Sequence, residues 1–478
     1  MDLALTHLHG KTWKRPLPHR EGVFLAFNTA AFLFFFFPAI FIIYQLIPFQ
    51  RGKNGFLLLA SLAFYTCGQW QGLPCLLASV VLSWAAGALL PRATAKKSLL
   101  TLFLALHLLM LGSFKYLNFF TGMDFSLPLP VGISFFTFKA MAYTIDVFRG
   151  EPSAKRFTDL LLYLSFFPQA ASGPISRFEQ FSAQLKDRPG GSAQTANGLR
   201  RFIAGFAKKA FIAGMAAPIV NTAFSLGGDL DFRLAWLGAI AYTIQIYFDF
   251  SGYSDMAIGL GTVFGFRTLE NFEYPYTAAS ITDFWRRWHI SLSSWFRDYL
   301  YIPLGGGRCG TLRKCLNKLI VFLLCGLWHG ANWTFVLWGA WHGLFSALES
   351  VLPVQQWIKN SRFTKILGHI YTLLVVCLGF VIFRAASIGE AFAVFRTMFT
   401  GGITPAATLA LERIAPAAWV ALAAGVIGST PVGPQLKKRF HTVPGALAAS
   451  YAAAAVVFVG CLLSMAGSGF QPFIYAQF

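Results

Sequence analysis

The sequence predicts an all-α polytopic membrane protein, and three observations support this fold class. Of the 478 residues, 56% are hydrophobic and only 12% are charged, which is about half the charged share of an average soluble domain. Apolar runs of roughly 20 residues recur, whereas the short alternating strands of a membrane β-barrel are not visible. Phenylalanine occurs 51 times, which suits lipid-facing and helix-packing surfaces.

The apolar runs also predict how the chain is organised. The run Val23–Pro48 is too long for the core of a signal peptide and is predicted to be a retained helix. Other runs are interrupted by Pro and Gly, notably Ser165–Pro174, which membranes tolerate only where the break lines a cavity or packs inside protein. We expect about eleven transmembrane helices plus re-entrant and interfacial helices. Residues 1–22 are predicted to be a polar, basic extension, and residues 23–478 a single membrane-embedded domain.

The charge pattern favours a lipid environment over nucleic acid. The net charge is +20, from 39 Lys and Arg against 19 Asp and Glu. The basic residues are concentrated in short connections between apolar runs, such as Arg92–Lys97, Arg308–Lys318 and Lys437–Arg439. The positive-inside rule and attraction to anionic lipid explain this pattern. Membrane lipid is therefore an expected partner, and nucleic acid is not.

The seven cysteines predict neither a disulfide nor a metal site. Most of them lie in apolar runs, where a thiol behaves as a small buried hydrophobe. Cys309 and Cys315 flank a basic loop but lack the spacing and partners of a zinc site.

Two aromatic segments are predicted to form the functional centre. Seven of the 13 tryptophans lie between Trp285 and Trp341, in segments that also contain His289 and His329. Ionisable groups in a hydrocarbon setting are costly and usually persist for function. Residues 281–300 fit one amphipathic helix with an aromatic stripe, and His289 falls at the edge of that stripe.

His329 is the strongest candidate for a catalytic base. Neutral imidazole can take a proton from a hydroxyl near pH 7, although a packed core histidine is the alternative. On a continuous helix, Asn332 and Trp333 would share its face as supporting residues. His342 would point to another side of that helix and is interpreted as structural.

Asp249 and Asp255 lie in an apolar stretch, where buried carboxylates need partners or stay protonated. They could relay protons to a catalytic histidine or bind an acceptor sugar. Equally, they could form ion pairs with Arg286, Arg287 or Arg297 that fix helix packing. The sequence leaves both readings open.

Two weaker signals concern the donor and the C-terminus. Arg308, Arg313 and Lys314 follow or flank a glycine triplet and could hold donor phosphates, but a basic cytoplasmic turn explains them equally well. Tyr475, near the C-terminus, could anchor the last helix at the interface or act as a nucleophile that carries an acyl group.

Together these segments resemble the membrane-bound O-acyltransferase superfamily, most closely its bacterial alginate O-acetyltransferase branch. The resemblance is carried by the segments Trp285–Ser293, Tyr299–Gly306, Gly326–Phe335, Pro130–Phe138, Gly173–Ile175 and Asp249–Asp255. It extends over residues 24–478. Residues 1–22 lie outside the pattern.

The resemblance implies a multi-pass enzyme of the bacterial inner membrane, with helices around a central tunnel. His329 would be the catalytic histidine, His289 the second signature position, and Trp328 and Trp333 would shape a dry tunnel. The donor would be cytoplasmic acetyl-CoA, with no tightly bound cofactor. The acetyl group would reach an exopolysaccharide or cell-wall glycan, alginate being the first expectation, with help from periplasmic acetyltransferase partners.

The resemblance also bears on Tyr475, because members of this branch often end in an aromatic tail around such a tyrosine. Here Ala476 replaces the aromatic residue that usually follows. This departure weakens the acyl-relay reading but leaves the hydroxyl in place.

Two alternative functions remain at this stage. A D-alanyl transferase for teichoic acid, fed by an acyl carrier protein, is the closest enzymatic alternative. A polysaccharide exporter or ion-coupled transporter is the other, but the sequence contains no inverted repeat of the kind typical of that class.

Overall fold

The computed structural model describes residues 25–123, 128–440 and 443–468, and within these ranges helices are the only regular secondary structure. The predicted all-α fold class is therefore confirmed. The predicted extension over residues 1–22 and the C-terminal Tyr475 lie outside the described residues.

The described residues up to 263 contain twelve α-helices, the last of which has 32 residues. Their bounds are α1 Phe37–Leu46, α2 Gln50–Gln69, α3 Leu73–Leu89, α4 Lys96–Lys115, α5 Leu117–Thr121, α6 Ile133–Phe148, α7 Phe157–Ser165, α8 Phe167–Ala170, α9 Phe178–Lys186, α10 Ser192–Ala207, α11 Gly214–Ser225 and α12 Phe232–Val263. A π-helical turn, Lys208–Ala213, joins α10 to α11.

The second half adds shorter, broken elements and, among the described residues, four further long helices. Their bounds are α13 Ile281–Arg287, α14 Ile290–Phe296, α15 Thr311–His329, α16 Trp333–Val351, α17 Val354–Asn360, α18 Arg362–Arg384, α19 Ile388–Thr400, α20 Pro405–Glu412, α21 Pro416–Gly428, α22 Val432–Phe440 and α23 Ala446–Ser468. A further π-helical turn, Arg297–Tyr301, follows α14.

Several helices are long and apolar enough to cross a membrane. By length and composition, the described residues contain five such spans, or six if the bent pair α20 and α21 counts as one. The predicted number of about eleven is not confirmed. The long helices α12, α15 and α16 are not among these spans, and all three carry polar side chains in their buried faces.

Close backbone contact joins α10 to α12. A Cβ atom on Gly205 would lie only 2.4 Å from the carbonyl oxygen of Gly252, and one on Gly198 would lie 2.7 Å from that of Gly259. Without side chains at these positions the two helices approach closely, which is a common way of packing helices in lipid.

The predicted break near Ser165–Pro174 is present between α7 and α8, and it packs inside the protein. A fully buried lysine, Lys139 of α6, supports it by donating hydrogen bonds to the carbonyl oxygen of Tyr163 and, at 3.3 Å, to Oε1 of Gln169. These bonds satisfy backbone and side-chain oxygens that would otherwise be stranded where α7 ends.

Candidate active site

A tight helical hairpin places His329 at the end of a long buried helix. Helix α15 ends at His329, Gly330 is extended with φ of 175°, and α16 starts at Trp333. The side chain of Asn332 accepts a hydrogen bond from the backbone N–H of Thr334 at 3.0 Å, which caps α16. A Cβ on Gly326 would lie 2.2 Å from the carbonyl oxygen of Phe335, so the two helices pack backbone to backbone.

This hairpin corrects the prediction that Asn332 and Trp333 share the helix face of His329. The helix stops at His329 because Gly330 leaves the helical region and Asn332 caps the next helix. Asn332 also donates to the carbonyl oxygen of Ala386 at 3.1 Å, while Trp333 is 59% exposed and contacts Phe119. Asn332 therefore shapes the turn, and Trp333 lies outside the buried site.

Aromatic rings enclose His329 on several sides. Its ring centroid lies 5.0 Å from that of Trp338, 5.1 Å from Trp328 and 5.2 Å from Phe383. The histidine is buried, so little water is available to solvate an imidazolium. The surroundings suit an imidazole that rests uncharged and accepts a proton only when a substrate is present.

The two residues at the end of α4 bind the carbonyl end of α15, immediately before His329. Lys115 Nζ donates to the carbonyl oxygen of Trp328 at 2.5 Å and to Ser134 Oγ at 3.2 Å. The Tyr116 hydroxyl donates to the carbonyl oxygen of Leu327 at 2.5 Å. The last carbonyls of a helix need such partners, and here α4 supplies them.

His289 lies at a break between two short helices, which corrects the prediction of one helix over residues 281–300. Helix α13 ends at Arg287, and α14 starts at Ile290. His289 has φ of 44°, a left-handed conformation that is uncommon and strained for a residue other than glycine. The break turns the histidine inward, where it is buried rather than at the edge of an aromatic face.

Phe250 and Trp328 contact the ring of His289. Its centroid lies 4.6 Å from that of Phe250, in a T-shaped arrangement, and 6.1 Å from that of Trp328. Since Trp328 also contacts His329, one indole lies against both histidines. The structure thus brings together the two histidines that the sequence singled out, together with Trp328.

Asn271, which the sequence analysis missed, binds the segment around His289. Its Oδ1 accepts from the backbone N–H of Ser291 at 3.2 Å and lies 3.2 Å from Nδ1 of His289. Its Nδ2 donates to Ser254 Oγ of α12 at 3.1 Å. In the sequence, the only indication of this role is that Asn271 precedes the aromatic segment that contains His289.

Glu349 of α16 was missed as well, and it holds the start of α13. Its carboxylate accepts hydrogen bonds from the backbone N–H groups of Ile281 and Thr282 at 2.6 and 2.9 Å. Free N–H groups at a helix start bind carboxylates well. Through this contact the α15–α16 hairpin positions the segment that bears His289.

His342 lies on α16 and, like His329, packs against Trp338. Its ring lies 5.0 Å from Trp338 and 5.2 Å from Trp285, and its Nδ1 accepts from Trp285 Nε1 at 3.3 Å. These contacts agree with the packing role predicted for His342.

Asp249 and Asp255 form ion pairs, but not with the arginines suggested by the sequence. Asp249 is buried and pairs with Lys209 of the π-helical turn. Asp255 pairs with Arg201 at 2.7 Å and with Lys208 at 2.6 Å. All three cations come from the α10–α11 unit, so the two carboxylates join α12 to that unit rather than to Arg286, Arg287 or Arg297.

A cavity of about 280 Å³ opens beside the two histidine segments. Its polar lining includes Arg286, Arg297 and Lys318, together with Ser293 and Ser294. Its apolar lining includes Ile290, which follows His289, and Cys325, which lies one helical turn before His329. The cavity therefore joins a basic opening to the neighbourhood of both histidines.

The predicted donor contacts Arg308, Arg313 and Lys314 do not line this cavity. Arg308 and Arg313 are exposed, and Arg313 bonds the carbonyl oxygen of Leu304 at 3.5 Å. The cations that the structure places at the cavity come from α13, from the turn after α14 and from α15.

A charge cluster fixes the π-helical turn that follows α14. Asp298 binds Arg177 and, at 2.7 Å, Arg297, while its carbonyl oxygen accepts from Arg149 at 2.9 Å. Burial raises the pKa of the Asp298 carboxyl, but hydrogen bonds and charge from Arg297 and Arg177 outweigh it and hold that pKa below its ordinary value. This cluster secures one wall of the cavity, which includes Arg297.

In the ranges that the structure describes, no group of three or more His, Cys, Asp or Glu side chains is arranged to hold a metal ion.

Comparison with known proteins identifies relatives of the whole chain. The sequence pattern of the membrane-bound O-acyltransferase family matches residues 93–389, which include both histidines. Probable alginate O-acetylase AlgI of Azotobacter vinelandii is 38% identical over 506 residues, covering 95% of the chain and 100% of the relative. Peptidoglycan O-acetyltransferase of Helicobacter pylori is 36% identical over 423 residues, covering 78% and 80%. Teichoic acid D-alanyltransferase of Bacillus subtilis is 31% identical over 276 residues, covering 53% and 68%.

Proposed function

The chain belongs to the membrane-bound O-acyltransferase family, and we propose that it takes an acetyl group from acetyl-CoA in the cytoplasm. A hydroxyl group accepts the acetyl group, which is used to acetylate a glycan on the outer side of the membrane. The chain is an O-acyltransferase of the membrane; the acetyl group, its donor and its acceptor are the proposal. A transporter function has no support from a family of acyltransferases.

One observation carries the proposal: a cavity lined by three cations lies beside the two segments that bear the buried histidines. A phosphate-bearing thioester donor needs cations at the surface and a narrow apolar passage for its acyl arm. Arg286, Arg297 and Lys318 supply the cations, and Phe296 and Phe322 belong to the apolar part.

His329 is the proposed general base. It takes the proton of an attacking hydroxyl, whose oxygen then forms a bond to the thioester carbonyl carbon. The tetrahedral species collapses by breaking the C–S bond, and the proton on His329 passes to the departing thiolate. The aromatic enclosure excludes water, which would otherwise compete as a nucleophile.

The orientation follows from the distribution of charge. The basic loop before α15, the connection before α4 and the basic residues of α22 contain many of the lysines and arginines. By the positive-inside rule we expect these connections to face the cytoplasm, so the opening with Arg286 and Lys318 would lie on the side where acetyl-CoA is available. The enclosing membrane would be the bacterial inner membrane.

The acceptor is proposed from the relatives. AlgI of Azotobacter vinelandii aligns over its whole length and is named for alginate, so an alginate-like exopolysaccharide is the first candidate. A cell-wall glycan is the alternative, since a peptidoglycan O-acetyltransferase is nearly as similar in sequence. Delivery through Tyr475 and periplasmic acetyltransferase partners belongs to the same proposal.

The test replaces His329 with Ala in cells that make the acetylated polymer. We expect polymer acetylation to be abolished while the amount of protein in the membrane is unchanged. His107→Ala is the matched control, because His107 is equally buried but lies in α4, bonded to the carbonyl oxygen of Phe103. Retained acetylation in His329→Ala would refute the assignment, and D-alanine in place of acetate on the product would redirect it to the teichoic acid reaction.

A separate variant tests the relay. Tyr475→Phe removes the hydroxyl and keeps the aromatic ring, so an interface anchor would survive the change. We expect acetylation of the polymer to stop while acetyl-CoA still binds. Unchanged acetylation would leave Tyr475 as an anchor only.

A further inference from the structure

The hydrogen bonds of Asn271 determine which nitrogen of His289 carries the proton. The backbone N–H of Ser291 is an unambiguous donor, and it points at Asn271 Oδ1 from 3.2 Å. The Ser254 hydroxyl oxygen, 3.1 Å from Nδ2, accepts from the amide on its other side. The amide can therefore be placed in only one way, with its oxygen towards His289.

That oxygen lies 3.2 Å from Nδ1 of His289. An amide oxygen has no proton to give, so the contact is a hydrogen bond only if Nδ1 donates. In a neutral imidazole, a protonated Nδ1 leaves Nε2 with a lone pair. Asn271 thus favours one tautomer of His289.

The second ring nitrogen is the one that faces the interior. In the part of the chain that the structure describes, Nε2 of His289 is buried and has no hydrogen-bond partner. A buried polar atom without a partner costs free energy, and the backbone at His289 is strained as well. Because the fold keeps Nε2 of His289 unpaired despite this free-energy cost, Nε2 is a candidate hydrogen-bond acceptor for a substrate group.

We propose that Asn271 is a positioning residue that holds His289 in the Nδ1–H tautomer, so that Nε2 accepts a hydrogen bond from a hydroxyl of the bound acceptor. The role rests on the proposed function, because it assigns His289 to acceptor binding beside the base His329. It also excludes a role for neutral His289 as a hydrogen-bond donor to the thioester oxygen, since Nε2 carries no proton.

A purely structural role for Asn271 is the rival explanation. Its backbone oxygen accepts from the N–H of Ile290 at 2.9 Å and its side chain from that of Ser291, so it also caps α14. A test has to separate the cap from the tautomer. Two measurements do so.

The first measurement is nitrogen NMR of the full enzyme in lipid nanodiscs, with ¹⁵N-labelled histidine and no substrate. The signals of His289 are identified by their absence from the spectrum of His289→Ala. We expect a protonated Nδ1 and an unprotonated Nε2 in the wild-type protein, and a mixture of tautomers in Asn271→Leu. A proton on Nε2 of the wild type, or an unchanged spectrum in Asn271→Leu, would overturn the inference.

The second measurement is a double-mutant cycle on acetyl transfer from acetyl-CoA. Asn271→Leu should lower the rate roughly tenfold to hundredfold, as loss of a partner that orients a functional imidazole does elsewhere. In a His289→Ala background, the same change should cost nothing more. An equal loss in both backgrounds would assign Asn271 to the cap of α14 alone.

Two further variants control for misfolding. Asn271→Asp keeps an acceptor for Ser291 and His289, and it should retain the protonated Nδ1 and part of the activity. Asn317→Leu removes another buried amide, which bonds the carbonyl oxygens of Leu304 and Gly306, and should leave the His289 signals unchanged. These outcomes do not depend on His329: retained activity in His329→Ala contradicts the general-base proposal without altering the tautomer result.

Discussion

Lys115 Nζ, at the end of α4, donates a hydrogen bond to the carbonyl oxygen of Trp328, the residue that precedes His329. The contact joins positions 213 residues apart in the sequence. It satisfies one of the last carbonyl oxygens of α15, which have no partner within the helix itself. The position of His329 therefore depends on α4, which is not part of the α15–α16 hairpin.

The first prediction follows from this contact. Lys115→Met removes the hydrogen bonds to Trp328 and to Ser134, and we expect it to lower acetyl transfer roughly tenfold by loosening the end of α15, because a buried carbonyl left unpaired costs about 1–3 kcal/mol. Tyr116→Phe is the matched comparison: it removes one hydrogen bond, to Leu327, one residue further from His329, and should lower transfer by less. If Lys115→Met has normal activity per folded molecule, the lysine serves only to dock α4.

The second prediction separates the two tryptophans that the sequence assigned to the site. Trp328 is buried and contacts both histidines, whereas Trp333 is 59% exposed. Trp328→Phe should lower activity at least tenfold, because the smaller ring leaves a cavity between the imidazoles and the surrounding side chains relax only partly to fill it. Trp333→Phe should behave like the wild type in the same acetylation assay. Equal losses would mean that Trp333 faces the substrate after all.

The comparison of sequence and structure shows which features depend on local signals. Composition and long apolar runs were enough for the all-α membrane fold, and the aromatic segments marked both histidines. The turn at Gly330 and the cap at Asn332 also have a local signal, since asparagine is a preferred N-cap residue. The prediction of a continuous helix through His329, Asn332 and Trp333 overlooked that signal.

The break at His289 has no such local signal. Its aromatic residues fit a helical period across the break, yet partners distant in sequence impose a left-handed residue there. Asn271 binds from one side and Glu349 caps α13 from the other. Periodicity reports which face of a helix is apolar, and it cannot reveal hydrogen bonds from loops that fold back from elsewhere. For the same reason the ion pair of Asp249 with Lys209 was not predicted.

The third prediction tests whether Asp249 has a structural or a chemical role. Asp249→Asn leaves the buried Lys209 without its carboxylate, and removing one partner of a buried ion pair typically costs about 3–5 kcal/mol. We expect a clear fall in the thermal unfolding temperature of the purified protein. The double variant Asp249→Asn with Lys209→Met should recover much of that stability, because no unpaired charge remains. Normal stability with lost acetylation in Asp249→Asn would instead support a proton relay.

The fourth prediction concerns the charge cluster at Asp298. Asp298→Asn weakens its contacts to Arg177 and Arg297, and hydrogen bonds to charged groups contribute about 1.5–3 kcal/mol before screening by solvent is considered. Because the folded-state pKa of Asp298 is lowered, its contribution is present above the ordinary carboxyl pKa and is lost as pH falls. The stability difference between variant and wild type should therefore shrink in acid. A difference that does not change with pH in thermal unfolding would contradict this account.

The fifth prediction identifies the cations that recognise the donor. Arg286 and Lys318 line the cavity that approaches the histidines, whereas Arg308 and Arg313 lie outside it. Arg286→Glu and Lys318→Glu should each raise the KM for acetyl-CoA about tenfold, because a charge-assisted contact to a phosphate is lost and a repulsive charge replaces it. The value of kcat should change little, since neither side chain contacts the reacting atoms in the proposed arrangement. Arg308→Glu and Arg313→Glu are the matched controls and should leave KM within about twofold, as expected of solvated surface charges.

Adding salt should weaken donor binding in the wild type more than in Arg286→Glu, because the variant has already lost the attraction that salt screens. The opposite ranking, with Arg308 and Arg313 controlling KM, would move the donor entrance to the glycine-rich turn and away from this cavity.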